Sequence, residues 1–172
     1  QPDFLPYLGF FDRLLSADLF VVLDTAQFVN GTSQSWMHRD KIKTPQGERW
    51  LSLSLKKAPR DTPIRKIELS NLYDWKRANL RLIHANYQKA TYFGEIMPYL
   101  EALYAVHCER MIDFNLKSII MLMELLNVGA PMILASELDA KGKKNDLLVD
   151  ILRKVGAVRY LSGMGAQEYF DP

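Results

Sequence analysis

Polar or glycine-rich residues follow three apolar runs that the sequence predicts to be β-strands. Asp24 follows the first run, Ser136 and Glu137 follow the second, and Ser162 and Gly163 follow the third. The carboxyl ends of parallel strands meet at one edge of a sheet, which is where such domains bind ligands. Carboxylates at that edge can act as general bases. We therefore predict a ligand site with Asp24 or Glu137 as the base and Ser136 among the binding residues.

The segment Ser162-Gly163-Met164-Gly165 adds a second kind of chemistry at this edge. Its successive backbone N–H groups can form a concave site for an anion, with Ser162, Gly163 and Gly165 as binding residues. It is not a P-loop, because no Gly-Lys-Ser/Thr follows. An ordinary turn of small residues explains the same composition.

The first residues of the chain form a stiff loop that leads directly into a helix. Pro2 and Pro6 prevent a regular helix there, whereas Phe11, Leu14 and Leu15 make one apolar helical face. The unpaired N–H groups at such a helix start suit a phosphate or carboxylate. We therefore predict that the loop binds ligand through the following four residues: Gln1, Pro2, Tyr7 and Gly9. A rigid turn that packs aromatic side chains is the alternative.

Basic residues supply the remaining candidates for anion binding. The planar guanidinium of Arg39 could clamp a carboxylate or phosphate, with Lys43 beside it, and Lys143 and Lys144 could neutralise a phosphate. A surface strand and a solvated loop are the respective alternatives.

Composition excludes several classes of protein. The net charge is +2, and short basic runs such as Lys56-Lys57 are typical of solvated loops, so no nucleic-acid partner is predicted. Cys108 is the only cysteine and the three histidines lack ligand spacing, which argues against a disulfide and a metal site. No signal peptide or long apolar span is visible, so a cytoplasmic protein without membrane contact is predicted.

The elements that must position these residues alternate between strand and helix at both ends of the chain. Strands are predicted at 19–23, 132–135 and 158–161, with a hairpin at 41–44 and 50–55 and a further strand at 64–69. A helical insert covers about 71–129, and an amphipathic helix follows at 145–155. We predict a single α/β domain over 1–172, with a doubly wound and mainly parallel sheet. The sequence starts at Gln1, and we expect a first strand upstream of it.

The chain resembles the WbqC-like family of bacterial proteins. The likeness covers residues 1–11, 17–24, 36–44, 47–51, 135–138 and 160–166. Members of the family occur with gene clusters for O-antigen and other surface polysaccharides. The resemblance implies transfer of an amino acid, glycine, onto a sugar. It also implies a C-terminal section beyond Pro172.

A weaker resemblance concerns the fold. The opening loop with Gly9, the helix, the strand and then Gln27-Phe28 are similar to pantothenate synthetase and other nucleotidylyltransferase-like (HUP-like) enzymes. This implies ATP as a cofactor and adds Gln27 to the binding residues. The chain has Tyr7 and Phe10 where that superfamily has paired histidines, which puts ATP use in doubt. Arg39, Lys143 and Lys144 could substitute.

Two functions remain open at this point. The first is an acyltransferase that joins an amino-acid acyl group to an amino sugar, with ATP or an already activated acyl donor. The second is a non-catalytic module that binds a nucleotide or nucleotide sugar, which the missing histidines favour. In either case the partner is a small molecule, and a biosynthetic complex or a homo-oligomer is possible.

Overall fold

The structure is a computed structural model that describes residues 1–29 and 35–163. The elements are α1 (Leu8–Leu15), β1 (Phe20–Val22), β2 (Arg39–Thr44), β3 (Gly47–Ser52), α2 (Trp75–Tyr87), α3 (Phe93–Ala105), α4 (Met111–Leu125), β4 (Met132–Leu134) and α5 (Asn145–Lys154). Two 3-10 helices lie at Ile64–Lys66 and Ala135–Leu138. The chain is therefore a mixed α/β protein, as the sequence predicts.

A parallel pair, β1 and β4, brings together two segments that are far apart in the sequence. Phe20 aligns with Met132 and Val22 with Leu134. The hairpin and the three central helices all lie between these strands in sequence. The prediction that 19–23 and 132–135 are parallel neighbours is confirmed.

The predicted strand at 158–161 is wrong. These residues form no strand, and Val158 is 96% exposed. An apolar run becomes a strand only where a neighbouring backbone completes its hydrogen bonds. In the described ranges the parallel sheet has β1 and β4 alone, so a doubly wound sheet is not confirmed.

The second sheet is the antiparallel hairpin of β2 and β3, close to its predicted position. Gly47 has a φ of +103°, which its lack of a side chain permits, and the Thr44 hydroxyl donates to the Gly47 carbonyl at 2.7 Å.

Helix α2 holds the hairpin through buried Asn79. The Nδ2 group of Asn79 donates to the Ser52 carbonyl at 3.1 Å, while its Oδ1 accepts from the Ser52 N–H.

The predicted continuous strand at 64–69 is also wrong. Ile67 and Leu69 are buried, but only Glu68 and Leu69 form β-bridges, and these are isolated. Residues Ile64–Lys66 instead form a 3-10 helix. The Ile64 N–H donates to the Ala26 carbonyl, so this turn is fixed by the segment that follows β1. A nonlocal hydrogen bond thus overrides the alternating pattern of the sequence.

Helices α2, α3 and α4 form the predicted central insert and close the main core. Phe114 of α4 contacts Phe4, Trp75 and Tyr104 with ring centroids 5.2–5.9 Å apart. Leu72 is 99% exposed, because it lies before α2, which begins only at Trp75 after its cap, Asp74.

Helix α1 packs in a smaller cluster against α4 and the start of the parallel sheet. Phe10, Phe11 and Leu14 are buried there with Ile119 and Met123 of α4. No helix in the described part of the chain is long and apolar enough to cross a membrane.

Candidate functional site

The carboxyl ends of β1 and β4 meet at a single side chain, Asp24. It is 1% exposed, and its Oδ1 accepts the backbone N–H of Ser136 at 2.9 Å. The Asp24 carbonyl accepts the Arg65 N–H, also at 2.9 Å. Asp24 therefore joins the end of β1 to both 3-10 helices. The predicted meeting of Asp24 and Ser136 at one sheet edge is what the structure contains.

Glu137 lies one residue further along and is exposed. One of its carboxylate oxygens accepts the Leu134 N–H at 3.0 Å, so it caps the 3-10 helix at the end of β4. Both predicted bases thus accept a backbone N–H. That contact gives each carboxylate a structural role, and the role of Asp24 or Glu137 as a base stays a prediction.

The opening loop is held from inside by Asn115 of α4. The Nδ2 group of this fully buried residue donates to the Pro2 carbonyl at 2.8 Å and to the Met37 carbonyl at 2.7 Å. The Phe4 N–H donates to the Trp36 carbonyl at 2.9 Å. Since a buried carbonyl without a partner is costly, these bonds fix the loop against the segment before β2.

The exposed side chain of Tyr7 is positioned by two neighbours. Its hydroxyl accepts from Arg13 at 3.0 Å, and its ring lies over Gly9. A β-carbon on Gly9 would come within 2.4 Å of the Tyr7 ring, so only glycine fits under this conformation. The Arg13 guanidinium also lies against Gly163, within 3.4 Å of where a β-carbon would stand. Two distant predicted segments, the opening loop and Ser162-Gly163, therefore meet at Arg13.

Two further carboxyl groups, those of Asp3 and Asp40, have raised pKa values, and sequence reasoning missed both. Burial raises the pKa of Asp3, with Asp40 adding to the shift and Arg13 opposing it. Burial also raises the pKa of Asp40, opposed by the Lys41 N–H, which donates to Asp40 at 2.6 Å. Perturbed carboxyl groups beside a cation are typical of functional sites. The available signal was the position of Asp3 between Pro2 and Phe4, which are both buried while Asp3 is half-buried.

A family model decides the classification. The model described as "WbqC-like protein family" matches residues 1–172. This chain belongs to the WbqC-like family. An uncharacterized protein of Mycobacterium tuberculosis (strain ATCC 25618 / H37Rv) is 25% identical over 172 residues, covering 99% of this chain and 73% of that protein. No solved structure matches the chain significantly.

Other predicted binding residues of this WbqC-like protein lie on separate elements. Gln27 is exposed, and its Nε2 donates to the Arg60 carbonyl at 2.8 Å. Lys143 and Lys144 are exposed in the loop before α5. Ser162 is half-buried next to Gly163, while Gly165 lies outside the described residues.

The hairpin carries Arg39 and Lys43. The Arg39 guanidinium lies 4.4 Å from the centre of the Trp50 ring on the neighbouring strand. Lys43 is exposed, and its backbone N–H donates to the Tyr87 hydroxyl at 3.1 Å. Within residues 1–29 and 35–163, no group of three or more His, Cys, Asp or Glu side chains is arranged to hold a metal ion.

Proposed function

We propose that this WbqC-like protein is a cytoplasmic transferase that attaches an amino-acid acyl group, glycyl, to the amine of an amino sugar in O-antigen or surface-polysaccharide biosynthesis. Family membership supports the general role. The half-buried carboxyl group of Asp3 carries the chemical part of the proposal, because burial raises its pKa while it still feels the positive charge of Arg13. The acyl donor is an activated carboxyl group, either made with ATP or supplied as a thioester.

The reaction needs one base and one cation. The amine nitrogen attacks the acyl carbonyl carbon and forms the C–N bond, and the bond to the donor's leaving group breaks with its electron pair. The amine proton passes to the Asp3 carboxylate. Its raised pKa makes Asp3 a stronger base than an exposed aspartate. Arg13 stabilises the negative charge that develops on the carbonyl oxygen.

Glycines and short hydrogen bonds support the geometry of this site. Gly163 leaves room for the Arg13 guanidinium, which donates to the Tyr7 hydroxyl at 3.0 Å. Asp24 keeps the strand ends together rather than touching the substrate, because its side chain is buried and bonded to Ser136. We therefore propose that Asp24 positions the strand ends and that Asp3, rather than Asp24 or Glu137, is the base.

Mass spectrometry tests the proposal directly. Purified protein is incubated with an amino-sugar nucleotide and either glycine with ATP or a glycyl thioester. We expect a sugar product heavier by one glycyl group. Asp3→Asn should slow its formation about a hundredfold or more, which is the usual contribution of a general base. Asp12→Asn removes an exposed carboxylate from α1 and serves as the matched control. No product with any donor, or equal loss in both variants, would overturn the proposal.

A non-catalytic module that binds a nucleotide or nucleotide sugar is the second candidate. Asp24 and Glu137, the two bases predicted from the sequence, both accept a backbone N–H group. This observation favours the non-catalytic module. The same incubation separates the two, because a module binds the amino-sugar nucleotide without forming product. A homo-oligomer or a biosynthetic complex would then supply the catalytic residues.

A further inference from the structure

A basic groove lies beside the strand-end region, formed by residues on three separate segments. Its cavity is about 600 Å3. The charged side chains that line it are Lys56, Lys57, Arg65, Lys66, Glu68 and Arg110. Pockets of this size accommodate small molecules rather than macromolecules.

Backbone hydrogen bonds make the floor of the groove rigid. The Lys56 N–H donates to the Glu68 carbonyl at 3.0 Å, and the Met111 N–H donates to the Ile67 carbonyl at 2.9 Å. Glu68 and Arg110 also form an antiparallel bridge. The cations therefore project from a fixed base, and less conformational entropy is lost when they bind a ligand.

The charge of the groove is concentrated. Five cations and one carboxylate line it, while the whole chain carries a net charge of only +2. Glu68 forms an ion pair with Lys56 at 2.6 Å. The positive charge of Lys57, Arg65, Lys66 and Arg110 is thus gathered in one concave surface, where it attracts anions more strongly than scattered charges do.

The groove adjoins Asp24 through the backbone. Arg65 lines the groove, and its N–H donates to the Asp24 carbonyl directly after β1. The carboxyl ends of parallel strands are where this type of domain binds ligands. The groove and the end of β1 are therefore joined through Arg65.

We infer that this groove binds the diphosphate group of a nucleotide-linked ligand. A diphosphate offers several charged oxygens within a few ångströms, which matches the clustered Lys and Arg donors. A nucleic acid fits less well, because the groove lining contains no aromatic side chain for base stacking and the chain is nearly neutral. The inference concerns binding alone, so it holds under either candidate function.

Calorimetric titration at fixed ionic strength tests the inference with inorganic pyrophosphate, ATP and a UDP-linked amino sugar as probes. The double variant Lys66→Gln/Arg110→Gln removes two groove charges. Arg81→Gln/Lys89→Gln removes two exposed charges from the region of α2 and is the matched control. We expect the groove variant to weaken pyrophosphate binding about tenfold or more and the control to leave it unchanged. If ATP or the UDP-linked amino sugar binds more tightly than pyrophosphate, the tighter of the two ligands identifies the source of the diphosphate.

Lysine acetylation of the unmodified protein provides a measurement that does not depend on whether a variant folds. Pyrophosphate should slow acetylation of Lys57 and Lys66, read by mass spectrometry, while Lys89 reacts at its original rate. Equal protection at all three lysines, or none, would overturn the inference. So would an oligonucleotide that binds through the groove and is not displaced by pyrophosphate, since that result makes the groove a nucleic-acid surface.

Discussion

The Asp24 carboxylate accepts the backbone N–H of Ser136 at 2.9 Å, although 112 positions separate the two residues in the sequence. We expect Asp24→Ala to lower the free energy of unfolding by about 1–3 kcal/mol, because a half-buried N–H loses its partner. Asp24→Asn retains an oxygen acceptor and should cost much less. Chemical denaturation measures both changes.

The same pair of variants separates a structural role from a catalytic one. If Asp24 positions the strand ends, Asp24→Asn should form the aminoacyl product at nearly the original rate. A folded Asp24→Asn protein without activity would instead restore Asp24 as the base.

Asn115 holds the opening loop, so its removal should loosen that loop first. Asn115→Ala leaves the Pro2 and Met37 carbonyls without their shared donor, at a cost of about 1–3 kcal/mol for each. We expect a lower midpoint of denaturation and faster hydrogen exchange at the Phe4 N–H. Asn71→Ala, at an exposed position, should change neither. Unchanged exchange at Phe4 would show that other contacts fix the loop.

The Arg39 guanidinium lies over the Trp50 ring. The charge-conserving change Arg39→Lys therefore shows whether Arg39 mainly stabilises the hairpin through this contact or mainly binds an anionic ligand. Loss of the planar contact should cost about 0.5–1 kcal/mol of stability. Arg49→Lys, on the exposed part of β3, should be neutral. Thermal melts with and without the amino-sugar nucleotide distinguish the roles. A tenfold to hundredfold loss of affinity with an unchanged melting temperature would make Arg39 the predicted anion clamp.

Asp3 should give stability a characteristic pH dependence. Burial raises its pKa above the ordinary value of 3.8, so the folded state holds the proton more tightly than the unfolded state. The corresponding stability is present below pH 3.8 and is lost as the pH rises through the pKa of the folded protein. Asp3→Asn should remove this loss. Glu68 and Asp150 have lowered pKa values and change the stability in the opposite direction. The test therefore compares the free energy of unfolding against pH for the original protein and for Asp3→Asn. Parallel profiles would show that folding does not raise the pKa of Asp3.

Local sequence patterns predicted much of the framework. The apolar run at 19–23 predicted β1, and the hairpin predicted at 41–44 and 50–55 lies close to β2 and β3, because the pattern of burial along a strand is encoded by adjacent residues. The polar residues at the ends of β1 and β4 also predicted the meeting of Asp24 and Ser136.

Tertiary structure decided whatever depended on distant partners. The runs at 64–69 and 158–161 have the composition of strands. In the first, the Ala26 carbonyl fixes residues 64–66 as a turn, and only isolated bridges form at Glu68 and Leu69. The second forms no strand in the described residues. The nearness of Asp3, Arg13 and Asp40 likewise has no local signal.

The sequence by itself determined the family and the types of residue available for chemistry. Only the tertiary structure decided which of them share a site. Lys56-Lys57 is a short, unremarkable basic pair in the sequence, yet folding brings Lys66 and Arg110 beside it in one groove. The physical reason is that hydrogen bonds between remote backbones set these distances, whereas periodicity reports only which face of a single element is buried.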